Sequence, residues 1–159
     1  MKRTLTSLLI CLFIIIMPLS SSGQNISISQ RLKIEREVDS VFHFFVSAAE
    51  KFDTEKLTQA VDDRYSAGFI TGGIYYSSFR TLMDNFKVNA QTLKNQVITI
   101  QKEKISVIAE NIVILTATGV TEVKTEDGNS FSATFFWSFV FEKINNNWKV
   151  IQSHQSSIR

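Results

Sequence analysis

Cysteine and proline are almost absent from this 159-residue sequence, which contains one of each. Both residues, Cys11 and Pro18, lie close to the N-terminus, so the chain beyond Pro18 has neither. Disulfide bonds, thiolate nucleophiles and Cys-ligated zinc are therefore excluded from that part of the chain. Glycine is also scarce, at six residues, and none of them forms a glycine-rich phosphate loop.

A charge excess of one sign is also missing. The chain has 17 basic and 15 acidic residues, and two of the basic ones are Lys2 and Arg3. No run of basic residues follows, which excludes a nucleic-acid binder because such proteins need a basic face. What the chain does have is 44% hydrophobic residues, including 13 phenylalanines. This composition predicts one ordered domain with a substantial core.

The first 23 residues have the pattern of a secretory signal peptide. A basic start precedes a short apolar run from Leu8 to Met17, and Pro18 and small residues follow. The apolar run is shorter than the roughly 20 residues that a spanning helix needs. We therefore expect residues 1–23 to be removed between Gly23 and Gln24. The mature protein would then be exported, either periplasmic or secreted, and would have no stable membrane anchor.

Three helices are predicted after this segment, followed by strands. Apolar residues at three- and four-residue steps indicate a helix over residues 32–52, and Asp53 then caps a short helix that runs to about residue 61. A short strand over residues 64–71 ends at Gly72-Gly73. A third helix is capped by Ser77 or Ser78 and runs to about residue 93.

From Gln96 onward, apolar residues recur at every second position, which is typical of strands. Four long strands therefore complete the chain. They are predicted over residues 96–109, 112–125, 130–143 and 147–157, with a type I′ turn at Asp127-Gly128. Helices followed by an antiparallel meander give an α+β fold. The third long strand is apolar on both faces, which predicts a cover on each side. Helices form one cover, and a partner subunit in a homodimer or the curl of the sheet itself forms the other.

This order of elements resembles the nuclear transport factor 2-like superfamily, in particular its SnoaL-like branch. The resemblance rests on the final strand, residues 148–156, where a Trp is followed by His-x-Ser, and on residues 139–143 and Gly72–Tyr76 before the third helix. It covers residues 30–158. It implies a cone in which a strongly curved antiparallel sheet wraps three N-terminal helices around a cavity. Relatives include isomerases, dehydratases, ligand binders and association domains, so the fold alone does not give the function.

A site is predicted inside that cone. Strand alternation from Trp148 places His154 and Ser156 on the same face, toward the cavity. A cavity histidine can exchange protons near neutral pH, so His154 is the candidate catalytic residue; the alternative is a neutral histidine that serves the fold. The candidate ligand-binding residues are mainly apolar, aromatic or hydroxyl-bearing: Phe69, Tyr75, Phe86, Thr118, Phe136, Ser138, His154 and Ser156.

Such a lining suits a small molecule that is apolar or of mixed polarity, and it suits plain core packing equally well. Some relatives carry an arginine on the strand before the final turn. This chain has no arginine between Thr125 and Trp148, which argues against an anionic ligand held in that way. His43 is interpreted as a surface residue. No metal site is expected, because no His-x-x-x-His or paired acidic spacing is present, and no cofactor is expected.

Three functions remain open at this point. The first is an exported, non-catalytic protein that binds a small ligand. The second is an acid–base enzyme of the isomerase or dehydratase type that uses His154. The third is a homodimeric association module.

Overall fold

The computed structural model describes residues 26–158. The predicted signal peptide and its cleavage point lie outside the described residues, as does Arg159. Within residues 26–158, no helix is long and apolar enough to cross a membrane.

All three helices end before residue 91, and each has a side-chain cap. Helix α1 spans Ile28–Glu50, α2 spans Thr54–Gln59 and α3 spans Phe79–Ala90. The backbone N–H groups of the first turns of α1, α2 and α3 donate to the side chains of Ser27, Asp53 and Ser78, respectively. These bonds satisfy donors that have no partner inside a helix. Of the two caps considered for α3, Ser78 is the one that the chain uses.

Six strands form one sheet. They are β1 (Phe69–Thr71), β2 (Ile74–Tyr76), β3 (Leu93–Ala109), β4 (Ile112–Thr125), β5 (Ser130–Ile144) and β6 (Asn147–Ile158), in the spatial order β2-β1-β6-β5-β4-β3. Strands β3 to β6 form the predicted antiparallel meander. The short strand predicted over residues 64–71 is smaller than expected and pairs with β2 across Gly72-Gly73.

The sheet is mixed, which corrects the expectation of a wholly antiparallel one. Strand β1 runs parallel to β6, with Phe69 opposite Ser153 and Thr71 opposite Gln155. The chain reaches β6 from β1 through α3 and the whole meander, and a parallel pair requires such a long connection. The α+β cone fold is otherwise confirmed: the helices precede the four-stranded meander of a curved, six-stranded sheet that is not closed.

The turn type differs from the prediction at the Asp127-Gly128 hairpin. At Asp127-Gly128 only Gly128 has a positive φ, 89°, so this turn is not type I′, which needs positive φ at both central residues. Asn145 and Asn146 instead have φ of 49° and 62° between the paired Ile144 and Asn147. This geometry is that of a type I′ turn, and asparagine tolerates it better than most residues.

The core lies between the helices and the concave face of the sheet. Phe42 and Phe45 of α1 each place their ring 5.5 Å from the ring of Phe139, edge to face. Phe139 and Phe141 are fully buried, and so is Leu115 on the neighbouring strand. The apolar face of α1 thus packs on the apolar face of the sheet, and this packing holds α1 across the sheet.

Candidate functional site

A cavity of about 310 Å³ lies between α3, the C-terminal end of α1 and the concave face of the sheet. Apolar side chains form most of its wall. They are Phe45, Val46, Ala49, Leu57, Phe79, Leu82, Met83, Phe86, Leu93, Ile98, Val123, Phe131, Ala133, Phe135 and Trp137. The size is within the range of small-molecule sites in proteins.

Hydroxyl and amide groups supply the polar part of the wall. Thr71, Thr121 and Ser157 contribute hydroxyls whose side chains form no hydrogen bond within residues 26–158. The Gln155 amide nitrogen donates to the Ser153 hydroxyl at 3.3 Å, which leaves its carbonyl oxygen able to accept a hydrogen bond. The cavity can therefore both donate to and accept from a bound molecule.

Charge is missing from this wall. Among the described residues, every side chain that lines the cavity is apolar, a hydroxyl or an amide. An uncharged wall of low polarity offers nothing that compensates for the desolvation of an ion. The cavity thus suits an uncharged molecule, and none of its lining residues within 26–158 has a side chain that transfers protons near neutral pH.

His154 lies outside the cavity, and the reason is a β-bulge in β6. Phe141 pairs with Val150 but Val140 pairs with Gln152, so Ile151 is an extra residue. An extra residue reverses the faces of everything that follows it. Trp148 and Val150 point inward, and His154 is exposed on the outer face. The expectation that His154 shares the face of Trp148 is therefore wrong.

Thr118, Phe136 and Ser138 also lie on the outer face of the sheet, contrary to expectation. They surround a shallow depression with His154, Lys102 and Lys104. The inward positions of β5 are taken by the other set of aromatic residues, including Phe135 and Trp137, whose rings stack at 3.9 Å. The structure therefore brings most of the predicted site residues together, on the side of the sheet away from the cavity.

The remaining predicted residues are dispersed. Phe86 lines the cavity as expected. Phe69 is fully buried against Phe79, with ring centroids 5.1 Å apart, and is part of the core. Tyr75 is 62% exposed. Ser156 lies where the cavity wall and the outer depression meet, and its hydroxyl donates to the Phe136 carbonyl at 3.1 Å.

Sequence reasoning missed several polar residues of the wall. Gln155 and Ser157 were placed on the outer face by an alternation that ignored the bulge. Gln96 lies near the start of β3 and donates from Nε2 to the Ala49 carbonyl of α1 at 3.4 Å, and Thr121 lies on the cavity side of β4. The pairing register between neighbouring strands gives the side of the sheet on which each of the four residues lies. That register cannot be derived from the sequence of a single strand.

An ion pair organises the opposite end of the helix layer. The Glu37 carboxylate accepts from Lys143 Nζ at 2.8 Å and from Trp148 Nε1 at 2.9 Å. The bonds from Lys143 and Trp148 hold the pKa of Glu37 below its usual range. This cluster lies away from the cavity and fixes α1 against β5 and β6, so its role is structural.

Comparison with solved structures gives the same fold at low sequence identity. A nuclear transport factor 2-like superfamily protein from Salmonella enterica serovar Typhimurium matches at 17% identity and TM-score 0.73, over 81% of this chain and 94% of that one. A hexachlorocyclohexane dehydrochlorinase of type 3 from Novosphingobium barchaimii matches at 12% identity and TM-score 0.71, over 84% and 92%. The expected nuclear transport factor 2-like fold is thereby confirmed, and the SnoaL-like branch stays a prediction.

Association domains are also among the similar proteins. A candidate calcium/calmodulin dependent protein kinase II association domain from Xanthomonas campestris matches at 14% identity and TM-score 0.67, over 77% of this chain and 86% of that one. Comparison with the curated proteins gave no significant match. The family model of the calcium/calmodulin dependent protein kinase II association domain matches residues 34–159. That match covers most of the chain, and the protein therefore belongs to the calcium/calmodulin dependent protein kinase II association domain family.

Proposed function

We propose that the protein binds an uncharged, largely apolar small molecule in the cavity of the cone and does not transform it. The observation that carries this proposal is the wall of the cavity, which is apolar apart from hydroxyls and amides and has no charged side chain among the described residues. Apolar pockets with a few polar groups are typical small-molecule sites, in which the polar groups set the orientation of the ligand. Thr71, Thr121 and the Gln155 carbonyl would do so here.

The position of His154 argues against the enzyme alternative. An acid–base catalyst must lie within about 3 Å of the proton that it moves. His154 is exposed on the outer face of the sheet, and the Gln155 side chain occupies the inward position next to it. His43, the other histidine of the chain, is exposed on α1. Neither histidine is part of the cavity wall, which favours binding over proton transfer.

Export is part of the proposal, and its support is the sequence of residues 1–23 alone. A small-molecule binder outside the cytoplasm would carry or sequester a molecule that water dissolves poorly. The absence of cysteine after Cys11 means that such a protein needs no disulfide chemistry in either an oxidising or a reducing compartment.

A titration with an uncharged apolar dye tests the binding proposal. N-phenyl-1-naphthylamine becomes fluorescent on leaving water, and we expect saturable binding at one dye per chain. Ala133→Phe places a ring in the cavity and should weaken binding at least tenfold, because it fills space that the dye needs. Ser132→Phe is the matched control, since the neighbouring Ser132 is exposed and points away from the cavity. Equal binding by both variants, or none by the wild type, would refute the proposal.

Self-association is the second candidate function, and it is compatible with the first. The outer face of the sheet exposes Phe136 and Ile114, which are 48% and 37% accessible on adjacent strands. Exposed apolar groups on a sheet face often mark an interface, and the family to which the chain belongs is one of association domains. A second copy of the chain, stacked face to face, would cover both residues.

Light scattering of the wild type and of Phe136→Asp tests this second candidate. We expect the wild type to be a dimer and the variant a monomer, because two carboxylates would oppose each other near the symmetry axis of the interface. Lys124→Asp is the control, since Lys124 is exposed near the end of the same sheet. A monomeric wild type would refute association through this face, and dye binding would be unaffected in either case.

A further inference from the structure

Helix α1 runs antiparallel to strand β3, and two hydrogen bonds fix their alignment. Arg31 Nη1 donates to the Val107 carbonyl at 3.3 Å near the start of the helix. The Ile98 N–H donates to the Glu50 carboxylate at 2.8 Å near its end. The helix covers about 29 Å between these points at 1.5 Å per residue, and the strand covers about 30 Å at 3.3 Å per residue. The two elements therefore stay in step along their whole length.

That alignment brings three metal-binding side chains together halfway along. Asp39 and His43 lie about 12 and 18 Å from Arg31 along the helix, and Glu103 lies about 13 Å from Val107 along the strand. One possible ligand atom from each of the three side chains lies within 4.8 Å of the other two. The alignment of α1 on β3 thus produces a cluster that no short sequence motif contains.

We propose that Asp39, His43 and Glu103 form a binding site for a divalent transition-metal ion of the zinc type. Imidazole nitrogen and carboxylate oxygen are both common zinc ligands, at about 2.0–2.2 Å from the metal. Two such ligands in a tetrahedral arrangement lie about 3.3 Å apart, a separation that follows from those bond lengths. His43 Nδ1 and Asp39 Oδ1 are 3.2 Å apart, which is the spacing of two ligands on one ion. His43 Nδ1 also lies 3.1 Å from the Asp39 carbonyl oxygen, a contact that metal binding through Nδ1 would replace.

The charges around the cluster favour a cation. The only ion pair that Asp39 makes within residues 26–158 is with His43, and Glu103 makes none with a lysine or arginine. Lys102 and Lys104 flank Glu103 in sequence and border the outer depression together with it, but neither lysine forms an ion pair with Glu103 within residues 26–158. Two carboxylates that face each other without a lysine or arginine partner repel, and a divalent cation between them removes that repulsion.

The chemistry of the three side chains indicates the class of metal. The set of one imidazole and two carboxylates selects transition metals over Ca²⁺ and Mg²⁺, which prefer oxygen ligands alone. With three protein ligands, a fourth position remains for water.

Such an ion would join α1 directly to β3 at the middle of the helix. It would lie away from the cavity, whose wall contains none of the three ligands. Metal binding and small-molecule binding are therefore separable, and the failure of one proposal would leave the other standing.

Calorimetric titration of the tag-free protein with ZnCl₂ tests the site. We expect one ion per chain for the wild type, and at least a tenfold loss of affinity for His43→Gln and for Glu103→Gln. His154→Gln is the matched control, because it removes the other histidine of the chain and should leave zinc binding unchanged. CaCl₂ and MgCl₂ should bind much more weakly than ZnCl₂.

The visible spectrum of the Co²⁺-loaded protein is a second readout. We expect the absorption bands of a four-coordinate ion in the wild type and their loss in His43→Gln. All three ligands are partly or fully exposed, so far-UV circular dichroism should show that the variants fold; Asp39→Asn replaces any variant that does not. The proposal is wrong if the wild type does not bind one zinc ion per chain, or if His43→Gln binds zinc as tightly as the wild type. Asp39 and His43 would then form only an i, i+4 contact on α1 beside the Glu103 carboxylate. Calcium or magnesium binding as tight as zinc binding would overturn the assigned metal class.

Discussion

Phe135 and Phe136 are neighbours of the same residue type on one strand, yet the first is 1% exposed and the second 48%. The side chain of Phe135 faces α1, α3 and the cavity, whereas that of Phe136 faces outward beside Lys102, Lys104 and His154. The cavity wall on the concave side thus has no charged side chain among the described residues, whereas the depression on the convex side is lined by charged residues and hydroxyls. The helices cover only the concave face of the sheet and leave the convex face in contact with water, and this explains why the two faces carry different side chains.

The two phenylalanines give the largest expected difference between the faces. Phe135→Ala should lower the free energy of unfolding by about 3–5 kcal/mol, because it removes a fully buried ring that stacks on Trp137. Phe136→Ala should cost less than about 1 kcal/mol in the monomer, since the ring is half in water. Urea denaturation at low protein concentration measures both. Equal losses would contradict the assignment of the two faces.

Gly119 tests how closely the concave side is packed. A Cβ atom built on Gly119 would lie 2.0 Å from the Thr99 carbonyl oxygen and 2.7 Å from the Phe135 ring. Gly119→Ala should therefore destabilise the fold by about 3 kcal/mol, because backbone has to move. Thr116→Ala on the exposed side of the same strand is the control and should change stability by less than about 0.5 kcal/mol. The denaturant midpoints of the Gly119→Ala and Thr116→Ala variants measure these losses of stability. If Gly119→Ala does not change the midpoint, β3 and β4 lie further apart than described.

The Glu37 cluster predicts a smaller, pH-dependent effect. Glu37→Gln should cost about 1 kcal/mol at pH 7, because the charge-assisted bonds from Lys143 and Trp148 weaken. The folded pKa of Glu37 is lowered, so its stabilisation is present above the pKa of an unfolded glutamate, about 4.3, and is lost as pH falls through the lower folded value. Thermal unfolding at pH 7 and pH 3 should show the difference between wild type and variant shrinking in acid. A difference that does not depend on pH would assign the effect to packing.

His154 gives the smallest expected effect. His154→Ala should change the free energy of unfolding by less than about 0.5 kcal/mol and should leave dye binding in the cavity unchanged, because the side chain is exposed on the convex side. Equilibrium unfolding and the dye titration measure these two quantities. Loss of dye binding would place His154 on the concave side after all.

Much of the fold could be predicted from the sequence, because helical and strand periods are local signals. The three helices and four long strands lie within a few residues of their predicted bounds. The mixed sheet could not be predicted, since the parallel pairing of β1 with β6 joins residues more than eighty positions apart. The sequence marks the turns at Asp127-Gly128 and Asn145-Asn146, but it does not show that the second of them, and not the first, has type I′ geometry.

The site was harder to predict than the fold, and one residue explains most of the error. Ile151 is the extra residue in β6, and nothing in the local sequence marks it as a bulge. Alternation counted from Trp148 therefore placed His154 inside and Gln155 outside, the reverse of what is observed. The approach of Glu103 to Asp39 and His43 could not be predicted for a related reason. Asp39 and His43 are four residues apart on one helix, but the position of Glu103 beside them depends on how α1 aligns with the distant strand β3.

Mass spectrometry of the protein purified from its own host is the most direct test of the central claim that the cone holds an uncharged ligand. Under native conditions we predict one bound small molecule per chain, released on denaturation, free of carboxylate and phosphate groups, and absent from Ala133→Phe. A bound molecule that is anionic, or one that Ala133→Phe retains as fully as the wild type, would contradict the account.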